Sequence, residues 1–360
     1  VHPKHGEYYC YPFETQASQH IRLSAIMQTQ QIHTSNNPFE QNAQAPLVSF
    51  IITTYNLPSE YLELCLRSIL KLSLNPKERE IIMIDDGSEL SPIQDLMDYQ
   101  DDIIYLRQRN QGLSMARNKG IQIATGKYIQ FIDGDDYLLQ TAYEHCLDLV
   151  RYHNPDIVYF ELTDQEVKAV PYSYTEPVSG STFLHNNNLR GSACSYIFKQ
   201  DILHEQRFTP GILHEDEEFT PLLFLKAERI ITTDAKAYFY RTRKDSIMHQ
   251  RENKRHSLKR LADTELVIFH LQEKAALLSD TERVALNRRI AQLTMDYLYN
   301  TILLTRSTRH LEDAIKRLHD KGLYPLPDKK YTKKYQLFCK AIRSKVGRRL
   351  MVMTLPQIKA

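Results

Sequence analysis

Residues 128–136 read YIQFIDGDD, an apolar run that ends in three carboxylates within four positions. A short apolar run rich in aromatic and β-branched residues is typical of a buried strand. Carboxylates as close as Asp133, Asp135 and Asp136 repel one another unless a cation lies among them. Such oxygen ligands suit Mg²⁺ or Mn²⁺, which takes its remaining ligands from water and substrate phosphates. The segment therefore predicts a strand followed by a divalent-metal site.

This acidic segment has two other interpretations. One is an acidic turn that caps the next helix, and it stays open from the residues alone. The other is a calcium-binding EF-hand loop, because Asp133, Asp135 and Glu144 occupy its first, third and twelfth positions. That loop needs glycine at its sixth position for a sharp turn, and this chain has Leu138 there, which excludes it.

Strands and helices alternate on both sides of this segment. The apolar patterns predict strands over 48–53, 81–84, 103–106, 128–132 and 157–160, and helices over 61–72, 93–99, 113–124 and 143–152. This alternation favours an α/β fold with a mainly parallel sheet. From about residue 246 the pattern is helical. In parallel sheets ligands bind beyond the carboxyl ends of the strands, so the polar segments there predict one shared site.

Four further segments carry polar chemistry. Residues 85–88 (DDGS) follow a strand and can supply a carboxylate to a base N–H, although alone they indicate only a turn. Residues 112–118 (GLSMARN) open a helix whose N–H groups and Arg117 suit a phosphate, although Gly-x-Ser is commonly a helix cap. Residues 214–219 (HEDEEF) are a second acidic cluster, which is either a solvated helix start or a catalytic one. Arg241 and Arg243 place cations where a diphosphate leaving group needs them, or are surface residues.

Composition narrows the class of protein. The 360 residues are 42% hydrophobic and 25% charged, which indicates a globular protein of one large or two modest domains. No apolar run approaches the 20 or so residues of a membrane span. The five cysteines are scattered without a C-x-x-C pair, which favours a reducing cytoplasm over a disulfide framework or a zinc site.

Charge is unevenly distributed along the chain. Residues 329–360 hold ten Lys and Arg and no Asp or Glu, which leaves 36 basic and 44 acidic residues elsewhere. An acidic body argues against a nucleic-acid partner. In the basic tail five apolar residues recur at helical spacing: Tyr331, Tyr335, Phe338, Ile342 and Val346. Such a helix either lies peripherally on an anionic membrane surface or docks on the acidic body.

Taken in order, these segments resemble the family 2 inverting glycosyltransferases of GT-A fold, especially bacterial enzymes that build capsule, exopolysaccharide or lipopolysaccharide. The resemblance covers about residues 46–248 and rests on motifs in register at 48–56, 85–88, 112–118, 133–136, 208–211, 215–219 and 240–247. One departure is Thr53, where many members have Pro. We accordingly expect an extension over 1–46, a GT-A catalytic domain over 47–248, a helical region over 249–328 and the basic amphipathic tail over 329–360.

The resemblance also implies roles for individual residues. Thr53, Tyr55 and Asp86 would contact the nucleoside, Asp133 the ribose or donor sugar, and Asp135 the metal. Arg117 would lie near the donor, Arg241 or Arg243 would stabilise the departing diphosphate, and Asp216 would be the catalytic base beside Glu215. A single displacement by an acceptor hydroxyl would invert the anomeric centre.

The implied function is transfer of a sugar from a nucleotide-diphosphate donor, with UDP the favoured carrier, to a glycan or lipid-linked acceptor. Two alternatives remain from the residues alone. A sugar nucleotidyltransferase would favour a glycine-rich, basic phosphate loop after its first strand, and residues 53–58 offer none. A non-catalytic nucleotide-sugar-binding module would not need both acidic clusters. We expect a cytoplasmic location, with peripheral membrane contact through the tail as an open possibility.

Overall fold

Eight strands form one mixed sheet that carries the predicted site along one edge. The computed structural model describes residues 45–165, 171–242 and 254–358. Its strands are β1 (Val48–Thr54), β2 (Arg79–Asp85), β3 (Ile103–Arg107), β4 (Tyr128–Asp133), β5 (Tyr137–Leu138), β6 (Ile157–Thr163), β7 (Tyr196–Lys199) and β8 (Ile230–Phe239). Their order across the sheet is β3-β2-β1-β4-β7-β6-β8-β5. The predicted α/β fold with a mainly parallel sheet is confirmed.

The parallel part of the sheet aligns the predicted polar segments. Strands β3, β2, β1 and β4 run parallel, and the register places Thr53 beside Asp133 and Thr54 beside Asp85. All seven residues of β1 are buried, as expected for a strand covered on both faces. Because the strands end at the same edge, the polar residues that follow them meet there.

Ten helices are described along the chain. They are α1 (Ser59–Leu70), α2 (Leu113–Ile123), α3 (Gln140–His153), α4 (Gly180–Asn186), α5 (Glu215–Leu225), α6 (Lys254–Ala275), α7 (Asp280–Thr305), α8 (Thr308–Asp320), α9 (Lys333–Ile342) and α10 (Lys345–Ile358). The predicted helix over 93–99 is wrong, since the chain there makes two 3₁₀ turns, Pro92–Gln94 and Met97–Tyr99. Only Leu96 in this segment is fully buried, so little tertiary packing is available to support an α-helix there.

The helices after residue 254 pack onto the sheet-bearing part of the chain. Helix α7 contacts α4 and α5, and α6 lies against both α5 and α7. Residues 46–360 accordingly form one compact unit. The region after the sheet therefore reaches the elements that carry the second acidic cluster.

The basic tail differs from the single predicted helix. It forms two helices, α9 and α10, with a break at residues 343–344. Tyr335, Phe338 and Ile342 are buried against the body, while Val346 is 78% exposed. Docking therefore accounts for α9, but not for the outer face of α10. None of the helices described is both long enough and apolar enough to cross a membrane.

Candidate functional site

Two of the predicted loops are joined by hydrogen bonds at the carboxyl ends of β1 and β2. The Asp86 N–H donates to the Thr54 carbonyl at 2.9 Å, and the Asn56 N–H donates to Ser88 Oγ at 2.9 Å. The Glu89 N–H donates a hydrogen bond to Asn56 Oδ1 at 2.7 Å. Residues 53–56 and 85–88 therefore form one surface, on which the Tyr55 ring is 49% exposed.

The two neighbouring aspartates of the 85–88 loop differ in their partners. Asp85 is fully buried and accepts hydrogen bonds from the Ser88 N–H, the Ser88 hydroxyl and the Tyr105 hydroxyl. It therefore shapes the turn. Gly87 completes that turn at φ +78°, where an added Cβ would lie 2.6 Å from the Asn110 nitrogen. Only glycine fits this backbone.

The Asp86 side chain joins the 85–88 loop to residues 108–112, the segment that precedes α2. Its carboxylate accepts hydrogen bonds from Gln108 Nε2 at 2.7 Å, the Gln111 N–H at 2.9 Å and the Gly112 N–H at 2.8 Å. A carboxylate has about four acceptor positions, so one remains for a ligand N–H. Asp86 is only 5% exposed, and its contact with a base stays a prediction.

The acidic loop after β4 has one structural carboxylate and two that remain candidates for ligand binding. Asp136 is buried and accepts hydrogen bonds from the Tyr238 hydroxyl and the Arg241 N–H, each at 2.7 Å. Burial and the nearby charge of Asp133 raise the pKa of Asp136. The side chains of Asp133 and Asp135 are only partly buried. The loop thus offers two carboxylates at its surface.

These two carboxylates fit a hard divalent cation. No group of three or more His, Cys, Asp or Glu side chains with metal-site geometry occurs within 45–165, 171–242 and 254–358. Mg²⁺ commonly takes one or two protein carboxylates and completes its shell with waters and substrate phosphates. Asp133 and Asp135 match that ligand set.

Arg241 lies against the same acidic loop. Its Nε donates to the Asp135 carbonyl at 2.9 Å, and its guanidinium lies 4.7 Å from the centre of the Tyr61 ring and 5.7 Å from that of Tyr137. The structure therefore brings Arg241 to the predicted donor site. Arg243 lies outside the described residues, so its role stays a prediction.

Arg117 is buried between the two acidic clusters. Its guanidinium donates to Glu215 Oε1 at 2.8 Å and to Asp133 Oδ1 at 3.0 Å. Its carbon lies 5.3 Å from the ring centre of Phe208 and 5.8 Å from that of Phe131. Burial alone would lower the pKa of Arg117, but Asp133 and Glu215 raise it, so the group stays charged. Only 3% of Arg117 is exposed, so it lies below the surface of the site and holds Asp133 and Glu215 in position.

The second acidic cluster forms the first turn of α5, and three of its four carboxylates have a basic partner. Each partner comes from a different helix, and the pairs are Glu215 with Arg117 on α2, Glu217 with Arg289 on α7, and Glu218 with His270 on α6. Glu215 and Glu218 are 7% and 8% exposed. The interpretation as a solvated helix start is therefore wrong for these two residues.

Asp216 is the exception in this turn. The residue is partly exposed, and its side chain makes no hydrogen bond or ion pair with any residue that the structure describes. Burial, followed by the charges of Glu215 and Glu217, raises the pKa of Asp216 well above its ordinary value, although Arg117 opposes this shift. A reachable carboxylate with a raised pKa is suited to accept a proton.

Sequence reasoning missed the residues that hold this turn from the C-terminal helices. On α6, Asp263 accepts the Leu213 N–H at 2.8 Å, just before α5 begins. On α7, Arg289 falls three residues after Leu286 and one before Ile290, on the apolar face of the helix. An arginine on a buried helix face was the available sequence clue, because such a residue requires an acidic partner.

Comparisons with known proteins agree with this architecture. The family described as "Glycosyl transferase family 2" matches residues 49–208. Among curated relatives, glycosyltransferase GlyA of Streptococcus pneumoniae is 29% identical over 56% of this chain and 31% of its own length. The uncharacterized glycosyltransferase EpsJ of Bacillus subtilis is 30% identical over 56% of this chain and 63% of its own length.

A third relative has a known structure. The poly(ribitol-phosphate) β-N-acetylglucosaminyltransferase TarS of Staphylococcus aureus is 24% identical over 55% of this chain and 36% of its own length. A crystal structure of TarS 1–349 in complex with UDP-GlcNAc superposes with a TM-score of 0.55 and 19% identity, covering 82% of this chain and 91% of that one. The alignments span about a third to two thirds of these curated relatives. The matched part, residues 49–208, therefore belongs to the family 2 glycosyltransferases, and the chain has the GT-A fold.

Proposed function

We propose that the chain is a metal-dependent inverting glycosyltransferase. It moves a sugar from a nucleoside-diphosphate donor, with UDP as the carrier, to a hydroxyl of a glycan or lipid-linked acceptor during surface-polysaccharide synthesis. The observation that carries the proposal is the first turn of α5, where Asp216 alone lacks a hydrogen-bond or ion-pair partner among the described residues. The name of TarS, which specifies a polymer acceptor, supports the polysaccharide assignment.

Asp216 is assigned as the catalytic base. Its raised pKa brings the carboxylate closer to the operating pH, where a base is most effective. The acceptor oxygen loses its proton to Asp216 as it forms a bond to the anomeric carbon, and the bond to the diphosphate oxygen breaks on the opposite face. One displacement without a covalent enzyme intermediate inverts the anomeric configuration.

The donor is assigned to the edge formed by the β1, β2 and β4 loops. Tyr55 offers an exposed ring for the nucleobase, and Asp86 retains an acceptor position for a base N–H. Thr53 lies in register with Asp133, and we assign the partly exposed Asp133 carboxylate as acceptor for a hydroxyl of the ribose or donor sugar. Arg241 and Arg243 are assigned to the diphosphate.

Asp135, with Asp133, would hold Mg²⁺ or Mn²⁺. When bound, the cation supplies positive charge that stabilises the diphosphate leaving group. Asp136 is excluded from this ligand set by its hydrogen bonds to Tyr238 and to the Arg241 N–H. Arg117 is assigned to position Asp133 and Glu215, because its buried guanidinium is occupied by these two carboxylates.

The two alternatives make different predictions for the same experiment. Purified protein is mixed with UDP-sugars and Mn²⁺, and release of UDP is followed with and without an oligosaccharide acceptor. A transferase releases UDP in a reaction that Asp216→Asn abolishes, whereas the exposed control Asp201→Asn does not affect it. A nucleotidyltransferase would instead form UDP-sugar from UTP and a sugar phosphate. A binding module would bind UDP without any turnover.

We further propose that the outer face of α10 rests on an anionic membrane surface. Val346, Leu350 and Met353 are 78%, 58% and 68% exposed, and their spacing of four and three residues puts them on one helix face. The exposed Lys345 and Arg349 flank them. Apolar residues bordered by basic ones suit the boundary between lipid headgroups and acyl chains.

A further inference from the structure

Arg289 connects the C-terminal helices to the proposed catalytic turn. It lies on α7, outside the part matched by the family, and its guanidinium pairs with Glu217 on α5. Arg289 is only 7% exposed and the Glu217 side chain 22%, so the pair is largely, but not fully, removed from water. An ion pair in such surroundings is a much stronger constraint than one on the surface.

The carboxylate of Glu217 is confined on a second side by Gly191. A Cβ added to that glycine would lie 2.2 Å from Glu217 Oε2, so any larger residue would displace the carboxylate. Glu217 therefore occupies a slot between the Gly191 backbone and Arg289. This position leaves it one residue away from Asp216 with its own charge already compensated.

The two neighbours of Asp216 are thus neutralised by separate arginines. Glu215 pairs with Arg117 from α2, and Glu217 pairs with Arg289 from α7. We propose that Arg289 is a positioning residue, which offsets the charge of Glu217 and fixes the first turn of α5 so that Asp216 faces the acceptor unpaired. The inference rests on the proposed role of Asp216 as base.

Other charged groups around this turn define the electrostatic setting. Asp133 and Arg117 act on Asp216 from the sheet side, and the buried Tyr196 lies near enough to interact with it. From the helical side, Asp296 is near the Arg289–Glu217 pair and its own burial raises its pKa, although Lys334 and Arg289 oppose this. Helix α6 contributes Asp263 at the start of the turn and His270 beside Glu218. Of these, Arg289 is the cation paired with Glu217.

The test follows the pH dependence of kcat/KM for sugar transfer in the full chain. In Arg289→Met the uncompensated charge of Glu217 adds to the penalty for ionising Asp216. The acidic limb should therefore move to higher pH by about one unit, and kcat at neutral pH should fall by at most about tenfold. UDP affinity measured by calorimetry should change less than about twofold, since the donor loops are not touched. Arg289→Lys should keep most of the activity.

A compensating variant separates this role from simple bracing of the helices. Glu217→Gln combined with Arg289→Met removes both charges, and the acidic limb should return toward the wild-type position. Glu217→Gln alone should move the limb to lower pH, which keeps the test usable if Arg289→Met does not fold. Arg283→Met, which removes a surface pair on the same helix, is the matched control.

Three outcomes would overturn the inference. They are a wild-type pH profile in Arg289→Met, a rate loss without any shift of the acidic limb, and a shift that the Glu217→Gln change does not reverse. The same assay includes Asp216→Asn. If that variant retains transfer, the proposed base is wrong, and this result is distinct from a failure of Arg289 alone.

Discussion

Arg117 reaches Glu215 at 2.8 Å and Asp133 at 3.0 Å, so one buried guanidinium joins the strand that carries the proposed donor site to the helix that carries the proposed base. Glu215 is 98 residues away from Arg117 in the chain. The pair fixes the distance between the two halves of the reaction centre. We therefore expect both activity and folding to depend on the Arg117 side chain.

The first prediction concerns this link. Arg117→Met leaves Glu215 buried without its partner, which should cost about 3–5 kcal/mol in the free energy of unfolding. Urea denaturation measures the loss. The exposed pair Arg67–Glu63 provides the control, and Arg67→Met should destabilise the chain much less. Equal effects of the two substitutions would refute the central structural role of Arg117.

The second prediction concerns the rate of transfer. Asp216→Asn keeps the shape of the side chain but cannot accept the acceptor's proton, so kcat should fall about 10²- to 10⁴-fold. UDP affinity should be unchanged, because Asp216 is separate from the donor loops. Glu217 and Glu218 are unsuitable controls, since both have partners in other helices. A variant that transfers sugar at most of the wild-type rate would rule out Asp216 as base.

The third prediction concerns stability as a function of pH. The pKa of Asp216 is raised in the folded chain, so ionising Asp216 costs more free energy in the folded state than in the unfolded state. As the pH rises from the unfolded-state pKa to the folded-state pKa, this cost progressively lowers the stability of the wild type. Asp216→Asn lacks this group and should therefore be more stable than the wild type at neutral pH, with a higher Tm. The difference should vanish near pH 3. Thermal unfolding across this range checks the sign, and a variant destabilised at neutral pH would contradict it.

The fourth prediction concerns the metal. Asp135→Asn should lose the Mn²⁺-dependent part of UDP binding, because an amide is a poorer ligand for a hard cation than a carboxylate. Calorimetry with and without Mn²⁺ measures this difference. The exposed Asp95→Asn is the control and should behave as wild type. If Asp135→Asn binds UDP with the same metal dependence as the wild type, Asp135 is not a metal ligand.

The fifth prediction concerns the tail. Replacing Val346, Leu350 and Met353 together with Gln should abolish sedimentation with anionic liposomes and leave transfer to a soluble acceptor intact. Truncation before residue 329 is unsuitable as a test, since it would remove the buried Tyr335, Phe338 and Ile342. Neutral phosphatidylcholine vesicles should bind neither protein. Unchanged sedimentation of the triple variant with anionic liposomes would remove the membrane proposal.

The local pattern of apolar and polar residues was sufficient to predict the parallel strands and the polar loops that follow them. The apolar run before Asp133 and the turn at Gly87 are encoded within a few residues, because strand burial and turn geometry depend on near neighbours. The same reasoning failed at 93–99, where an apolar spacing was present but only Leu96 is fully buried, so packing does not support a helix there.

The different surroundings of the four carboxylates in the first turn of α5 could not be predicted from local pattern. In the sequence, Glu215, Asp216, Glu217 and Glu218 are four equivalent acids at a helix start, and nothing in their spacing separates a base from its neighbours. They become different only when α2, α6 and α7 bring Arg117, His270 and Arg289 to three of them. The sequence alone determined which residue types follow each strand, because those preferences are local. Which carboxylate stays unpaired was decided by the tertiary structure, because charge compensation here joins residues 52 to 98 positions apart.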